Sequence, residues 1–143
     1  MNCRSIRPSE KALGKFKTRI KEVTTKNMTV DVEHHIKFEV NPIIRGWGNY
    51  FGIAAVKRVF ETLDAWIRRR LRMVQFRSWR KKKKLHKELR RNNWKGPMPD
   101  IRMTKWRSSR SRPAHIAIPN ERFRQYRLVF LLDIYKNLHP QRG

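Results

Sequence analysis

The sequence predicts a mainly α-helical protein, a bundle of three to four helices followed by a basic, loop-rich C-terminal segment with a short helix. Two long stretches carry apolar residues at steps of three and four: Leu13, Phe16, Ile20 and Val23, then Val56, Val59, Phe60, Leu63, Trp66, Ile67, Leu71 and Val74. That spacing gathers them on one face of a helix. Between the stretches, Asn41-Pro42 reads as a helix start. Asparagine offers a side-chain acceptor to the orphan amides of a first turn, and proline has no amide to lose there. Further on, Asn92-Asn93 and Gly96-Pro97-Met98-Pro99-Asp100 gather turn formers. They divide the chain into a helical domain (1–91), a linker (92–100) and a basic segment (101–143).

In order along the chain, Ser9 is a candidate N-cap for an amphipathic helix of about Glu10 to Thr25, with Lys11, Lys15, Lys17, Arg19 and Lys21 mostly on its other faces. Gly14 weakens that helix by up to ~1 kcal/mol. After Asn27 the pattern supports two readings, since Val30 and Val32 alternate as in a strand while Val32, Ile36 and Val40 form a helical stripe. From Pro42 to Phe51 the apolar mass falls on one broad face, with Arg45 and Asn49 off it and Gly46 and Gly48 leaving room for a close neighbour. Trp47, Tyr50 and Phe51, with Phe60, Leu63 and Ile67, are the candidate structural core. Gly52 suits a left-handed helix end. The longest helix begins near Ala55, and Phe76, Trp79 and Leu85 extend its apolar face to a point near Lys84 where it either continues or breaks. Pro119-Asn120-Glu121 opens a last helical segment in which Leu128 to Leu132 needs burial.

Charge narrows the function. The 143 residues include 36 Lys or Arg against 11 Asp or Glu, a formal net charge of +25. Such self-repulsion in a compact state points to a polyanionic partner, nucleic acid first. From Arg68 to Lys95 there are fourteen Lys or Arg and a single acid, Glu88. An ordinary solvated helix face interleaves both signs, so this run is a candidate phosphate-contacting surface. Its members include Arg68, Arg69, Arg72, Arg77, Arg80, Lys81, Lys82, Lys83, Lys84, Lys87, Arg90 and Arg91. A second candidate is the mixture Lys105, Trp106, Arg107, Arg110 and Arg112 with intervening serines, which lacks a clear period and reads as a backbone-hugging loop.

Other chemistries lack their residues. One cysteine, Cys3, permits neither an internal disulfide nor a cysteine-rich zinc site, and adjacent His34 and His35 point in different directions. A reducing, cytoplasmic setting is expected. No run approaches the ~20 apolar residues of a membrane-spanning helix. Acids are scattered singly, so the paired aspartates that hold two metal ions in polymerases are missing, as are Gly-rich phosphate loops. The chain reads as a non-enzyme without metal or cofactor.

The order of Arg7-Pro8-Ser9-Glu10-Lys11-Ala12, then Asn41-Pro42-Ile43-Ile44-Arg45-Gly46-Trp47-Gly48-Asn49-Tyr50-Phe51, then Phe60-Glu61-Thr62-Leu63-Asp64-Ala65-Trp66-Ile67-Arg68-Arg69-Arg70-Leu71 resembles the maturase-specific region (domain X) of group II intron reverse transcriptases. The resemblance covers about Arg4 to Arg80, with a looser similarity beyond to the DNA-binding segment of some bacterial members. It implies a thumb-like helical domain, with a helix over about Asp31 to Glu39, that binds intron RNA. It places RNA contacts at Arg45 and along Arg68 to Lys84, and target DNA at Trp106 to Arg112. The polymerase palm and fingers with their Asp-Asp turn, and the cysteines of an HNH-type endonuclease, are absent, so a separately encoded palm is an expected partner. A general nucleic-acid-binding structural protein of ribosomal or nucleoid type shares the charge and size but not the Arg-Gly-Trp-x-Asn-Tyr motif, and a retroelement remnant that has lost its polymerase is a related alternative.

Overall fold

A computed structural model describes residues 9–25, 31–53, 56–79, 82–92 and 112–140. The described residues form helices and connecting turns: α1 (Glu10–Val23), α2 (Val32–His35), a π-helical turn (Ile36–Val40), α3 (Asn41–Phe51), α4 (Lys57–Trp79), α5 (Lys82–Arg91), α6 (Arg112–Ala117), α7 (Asn120–Gln125) and α8 (Leu131–Leu138). The protein is mainly helical, and among the described residues there is no strand.

Helix α1 starts as expected, with the Ser9 hydroxyl accepting from the Ala12 amide at 3.1 Å. It buries Phe16 and Ile20. Its C-terminal end is held by α4, where Arg70 donates to Thr24 Oγ1 at 2.7 Å and to the Thr24 carbonyl at 2.8 Å. A cation on the last carbonyls also suits the helix dipole.

The stretch from Val32 to Phe51 runs without interruption from α2 through the π-turn into α3. Val32, Ile36, Val40, Ile44 and Gly48 are all buried, a strict step of four. An α-helix overshoots by about 40° at every fourth residue, and four such steps would carry the stripe about 160° around the axis. The wider π-turn takes up part of that excess, so the stripe keeps facing the core. Asn41 is therefore not the N-cap the sequence suggested. Its backbone is already helical, and its side chain is buried and engaged elsewhere. Asn41 Nδ2 donates to the Arg127 carbonyl at 2.8 Å while its Oδ1 accepts from the Val129 amide at 2.8 Å. A distant extended segment outcompeted the local cap.

Helix α4 buries Phe60, Leu63, Ile67, Leu71 and Val74 along one stripe. From Leu71 to Phe76 all six residues are buried, because α5, α6 and α7 close over the side that faces solvent earlier in the helix. The long helix ends at Trp79 and helical structure resumes at Lys82. The C-terminal segment does not stand apart: Ala114, Ala117, Ile118, Phe123, Leu128, Phe130, Leu131, Ile134 and Tyr135 belong to the same apolar core as α1, α3 and α4. Asn92 reaches across to it, donating to the Ile116 carbonyl at 2.8 Å. The rest of the expected linker (93–100) and residues 101–111 lie outside the described residues.

The last helical segment is two helices, not one. Helix α7 closes with Leu128 N donating to Phe123 O and Arg127 N to Arg124 O, and Arg127 sits at φ 62°. This is the paired bonding of a Schellman end with arginine where glycine is usual. The chain then runs extended to Phe130 and enters α8, whose first amides, Leu131 N and Leu132 N, donate to Asp64 Oδ1 at 2.8 Å and Oδ2 at 2.9 Å. Asp64, 4% exposed in the middle of α4, is thus the cap of α8. Helix α8 lies closely on α3 over Gly48, where an added Cβ would meet Ile134 Cδ1 at 2.7 Å and Leu131 Cδ2 at 2.9 Å. Gly46 opens on space instead, and Gly52 ends α3 in a right-handed rather than left-handed conformation.

Three stability effects follow from this packing. Gly48→Ala overpacks the α3–α8 contact and lowers stability by ~1–3 kcal/mol in urea titrations. Trp47 stacks on Phe16 with centroids 4.4 Å apart and leans on Phe51 and Phe60, so Trp47→Ala costs about 3 kcal/mol by the same assay. Burial raises the Asp64 carboxyl to about 6 against the lowering effect of the two amide bonds and Arg68. The unfolded carboxyl titrates near 3.9, so the folded state holds this proton more tightly. The contribution is full below about pH 4 and is lost as pH rises through about 6, by roughly 2–3 kcal/mol in all. Stability of the wild type relative to Asp64→Ala therefore falls between those pH values, and a gap constant with pH would refute this ionisation.

Candidate nucleic-acid interface

The cation run separates into two populations once folded. Arg72 is 1% exposed, donating from Nε to the Ile118 carbonyl at 2.7 Å and from Nη2 to Asn120 Oδ1, with its guanidinium over Phe123. Burial, then Arg68, pulls it down to about 10, so it stays charged at neutral pH. Expected on the RNA-facing surface, Arg72 is a core residue, because α6 and α7 cover its face of α4. Arg68 is half-buried beside Asp64 and stacks its guanidinium 5.5 Å from the Phe130 centroid. Arg69 is half-buried, and Arg70, not singled out from sequence, ties α4 to α1.

The second population faces solvent. Lys87, Arg90 and Arg91 are exposed on α5, Arg91 lying 3.7 Å from Glu88, whose other oxygen pairs with Arg122 of α7 at 2.7 Å. Arg45 is exposed on α3, and Lys11, Lys15, Arg19 and Lys21 on α1. The backbone of Lys82, Lys83 and Lys84 is helical in α5, that of Arg77 in α4 and that of Arg112 in α6. Arg80, Lys81, Lys105, Trp106, Arg107 and Arg110 lie outside the described residues.

Of the structural core candidates, Phe60, Leu63 and Ile67 are buried, and Trp47 and Phe51 pack at the core's edge. Tyr50 is 80% exposed and is no core residue. Its position on α3 points away from α8 and toward a groove of about 420 Å³ shared with α1, floored by Phe16 and Trp47 and rimmed by Lys15 and Arg19. The Trp47 Nε1 atom is buried there without a hydrogen-bond partner among the described residues.

A second cleft, of about 480 Å³, opens where α1, α4 and α6 meet, lined among others by Lys17, Thr62, Trp66, Arg69, Arg72 and His115. The Lys17 ammonium stands 5.6 Å and the Arg70 guanidinium 5.8 Å from the Trp66 ring centroid. Partial burial, then Arg72 and Arg68, lowers the His115 pKa, which leaves its ring neutral at pH 7. Sequence reasoning missed this cleft. Trp66 fits the apolar stripe of α4 and Lys17 a solvated face, and only the return of α6 brings His115 beside them.

Among the described residues, no group of three or more His, Cys, Asp or Glu is placed to hold a metal ion, and no helix is long and apolar enough to cross a membrane. Comparison with curated proteins gives no match. A model of the family described as the group II intron, maturase-specific domain matches residues 13–94, more than half of the chain, including the Asn41 to Phe51 motif and the cation-rich part of α4 and α5. The chain therefore belongs to the group II intron maturase-specific domain family, a non-catalytic domain that serves group II intron splicing.

Proposed function

We propose that the chain binds folded group II intron RNA through the solvent-facing cations of α1, α3 and α5, and assists the RNA fold that splices itself. The observation that carries this reading is the fourteen-to-one excess of cations over acids from Arg68 to Lys95, lying almost entirely within the matched family region. Structured RNA is recognised largely through shape, phosphates and exposed bases, which a rigid helical face with cations at fixed spacing suits. The protein supplies binding and no covalent chemistry, with neither metal nor cofactor. Residues 105–112, rich in arginine and serine around Trp106, are the proposed contact for target DNA, and a separately encoded reverse transcriptase palm is the proposed protein partner. The single cysteine is consistent with a reducing cytoplasm.

The test is affinity for a folded group II intron RNA against mixed-sequence RNA of equal length, both titrated across salt. A preference of about tenfold or more, ~1.4 kcal/mol, that survives rising salt is expected. Equal binding that fades in parallel would leave a general basic binder. Replacing Lys81 to Lys84 by alanine should weaken RNA binding and flatten the salt dependence by about 0.7–0.9 in logarithmic slope for each phosphate that is no longer neutralised. An unchanged slope removes that run from the interface.

A further inference from the structure

We propose that the cleft where α1, α4 and α6 meet takes a single unpaired nucleotide of the bound RNA, with its base against Trp66 and its phosphate near Lys17 and His115. The proposal rests on the RNA-binding reading above and gives it a defined subsite. At about 480 Å³ the cleft falls within the range of roughly 300–1,000 Å³ typical of small-ligand sites. Its chemistry is mixed in the manner a nucleotide needs. Trp66 remains only partly covered although its stripe neighbours Leu63 and Ile67 are buried, so an aromatic surface is kept at the opening. Aromatic stacking accepts any base.

Among the described residues, the charged groups that line the cleft are all basic and none is acidic. Arg72 contributes a fixed positive charge at the floor, and the hydrogen bonds to Ile118 and Asn120 that hold it there come from neutral oxygens. The lowered pKa of His115 registers the same positive potential, with Arg72 and Arg68 contributing to it after burial. A phosphate entering here meets the positive charge of Lys17 and Arg72. Lys17, on a flexible stem over Trp66, has the length to follow the phosphate and free the ring. Ala65 and Thr62 keep the wall low.

The test compares binding of the full chain to a short labelled oligoadenylate and to an abasic sugar-phosphate oligomer of the same length and charge. The wild type is expected to prefer the oligoadenylate by roughly tenfold, as one stacked base supplies. Two variants remove that preference: Trp66→Leu, which keeps apolar bulk, and Ala65→Glu, which puts a carboxylate on the wall without touching the core. Circular dichroism melts confirm that each is folded. Equal wild-type binding of the two oligomers, or a preference retained by either folded variant, overturns the subsite. A chain that shows the base preference but does not favour intron RNA keeps the cleft and loses the intron reading. One that favours intron RNA without the base preference loses only the cleft.

Discussion

Helix α8 starts inside the protein, where its first amides cannot reach water, and a buried amide left without an acceptor costs about 1–3 kcal/mol. The Asp64 carboxylate accepts two of them at once. One turn earlier in the incoming chain, Asn41 grips both sides of the same extended segment at Arg127 and Val129. These two side chains, one from each of the central helices, fix where the C-terminal residues land. Once landed, α8 presses Leu131 and Ile134 into the space above Gly48. The core then includes residues from both ends of the described chain.

That arrangement decides what becomes of the positive charge. Where α6 and α7 fold back over α4, an arginine of the cation run is taken into the core and held by neutral oxygens. Lys87, Arg90 and Arg91 of the same run stay on the surface. Repulsion among them opposes the compact state, and a polyanion that binds only the folded form relieves it, so the proposed RNA binding is linked to folding stability. Ionic strength acts on both, by screening the repulsion and by weakening phosphate contacts.

Local periodicity made much of the helical framework legible. Ser9 is the cap it promised to be, and the stripes of α1 and α4 are buried as their spacing required. The failures are places where a distant partner outcompeted a local signal. Asn41 has the chemistry of an N-cap, but the backbone at Val129 offered a better use for its oxygen. Nothing near Asp64 in sequence announces α8. Arg72 sits in a basic run whose composition says surface, and only the buried neighbours Met73 and Gln75 reveal that the helix is enclosed on every side there. Tyr50 shares the spacing of its aromatic neighbours, yet it is 80% exposed. The cleft at Trp66 is illegible in sequence because its lining comes from three elements, two of which lie about fifty residues from Trp66 on either side in the chain.

The π-turn at Ile36–Val40 acts as a vernier between two helical scales. Each residue of an α-helix turns the chain by about 100°, so removing a single residue from this turn would rotate α2 relative to α3 by about that angle. Val32 and His35 would leave the core together, and with them the bond from His35 to the Val23 carbonyl that ties this stretch to the end of α1. Point substitutions in the turn change one contact, whereas a change in its length re-indexes the whole of α2. Chain length here is under tighter physical constraint than residue identity.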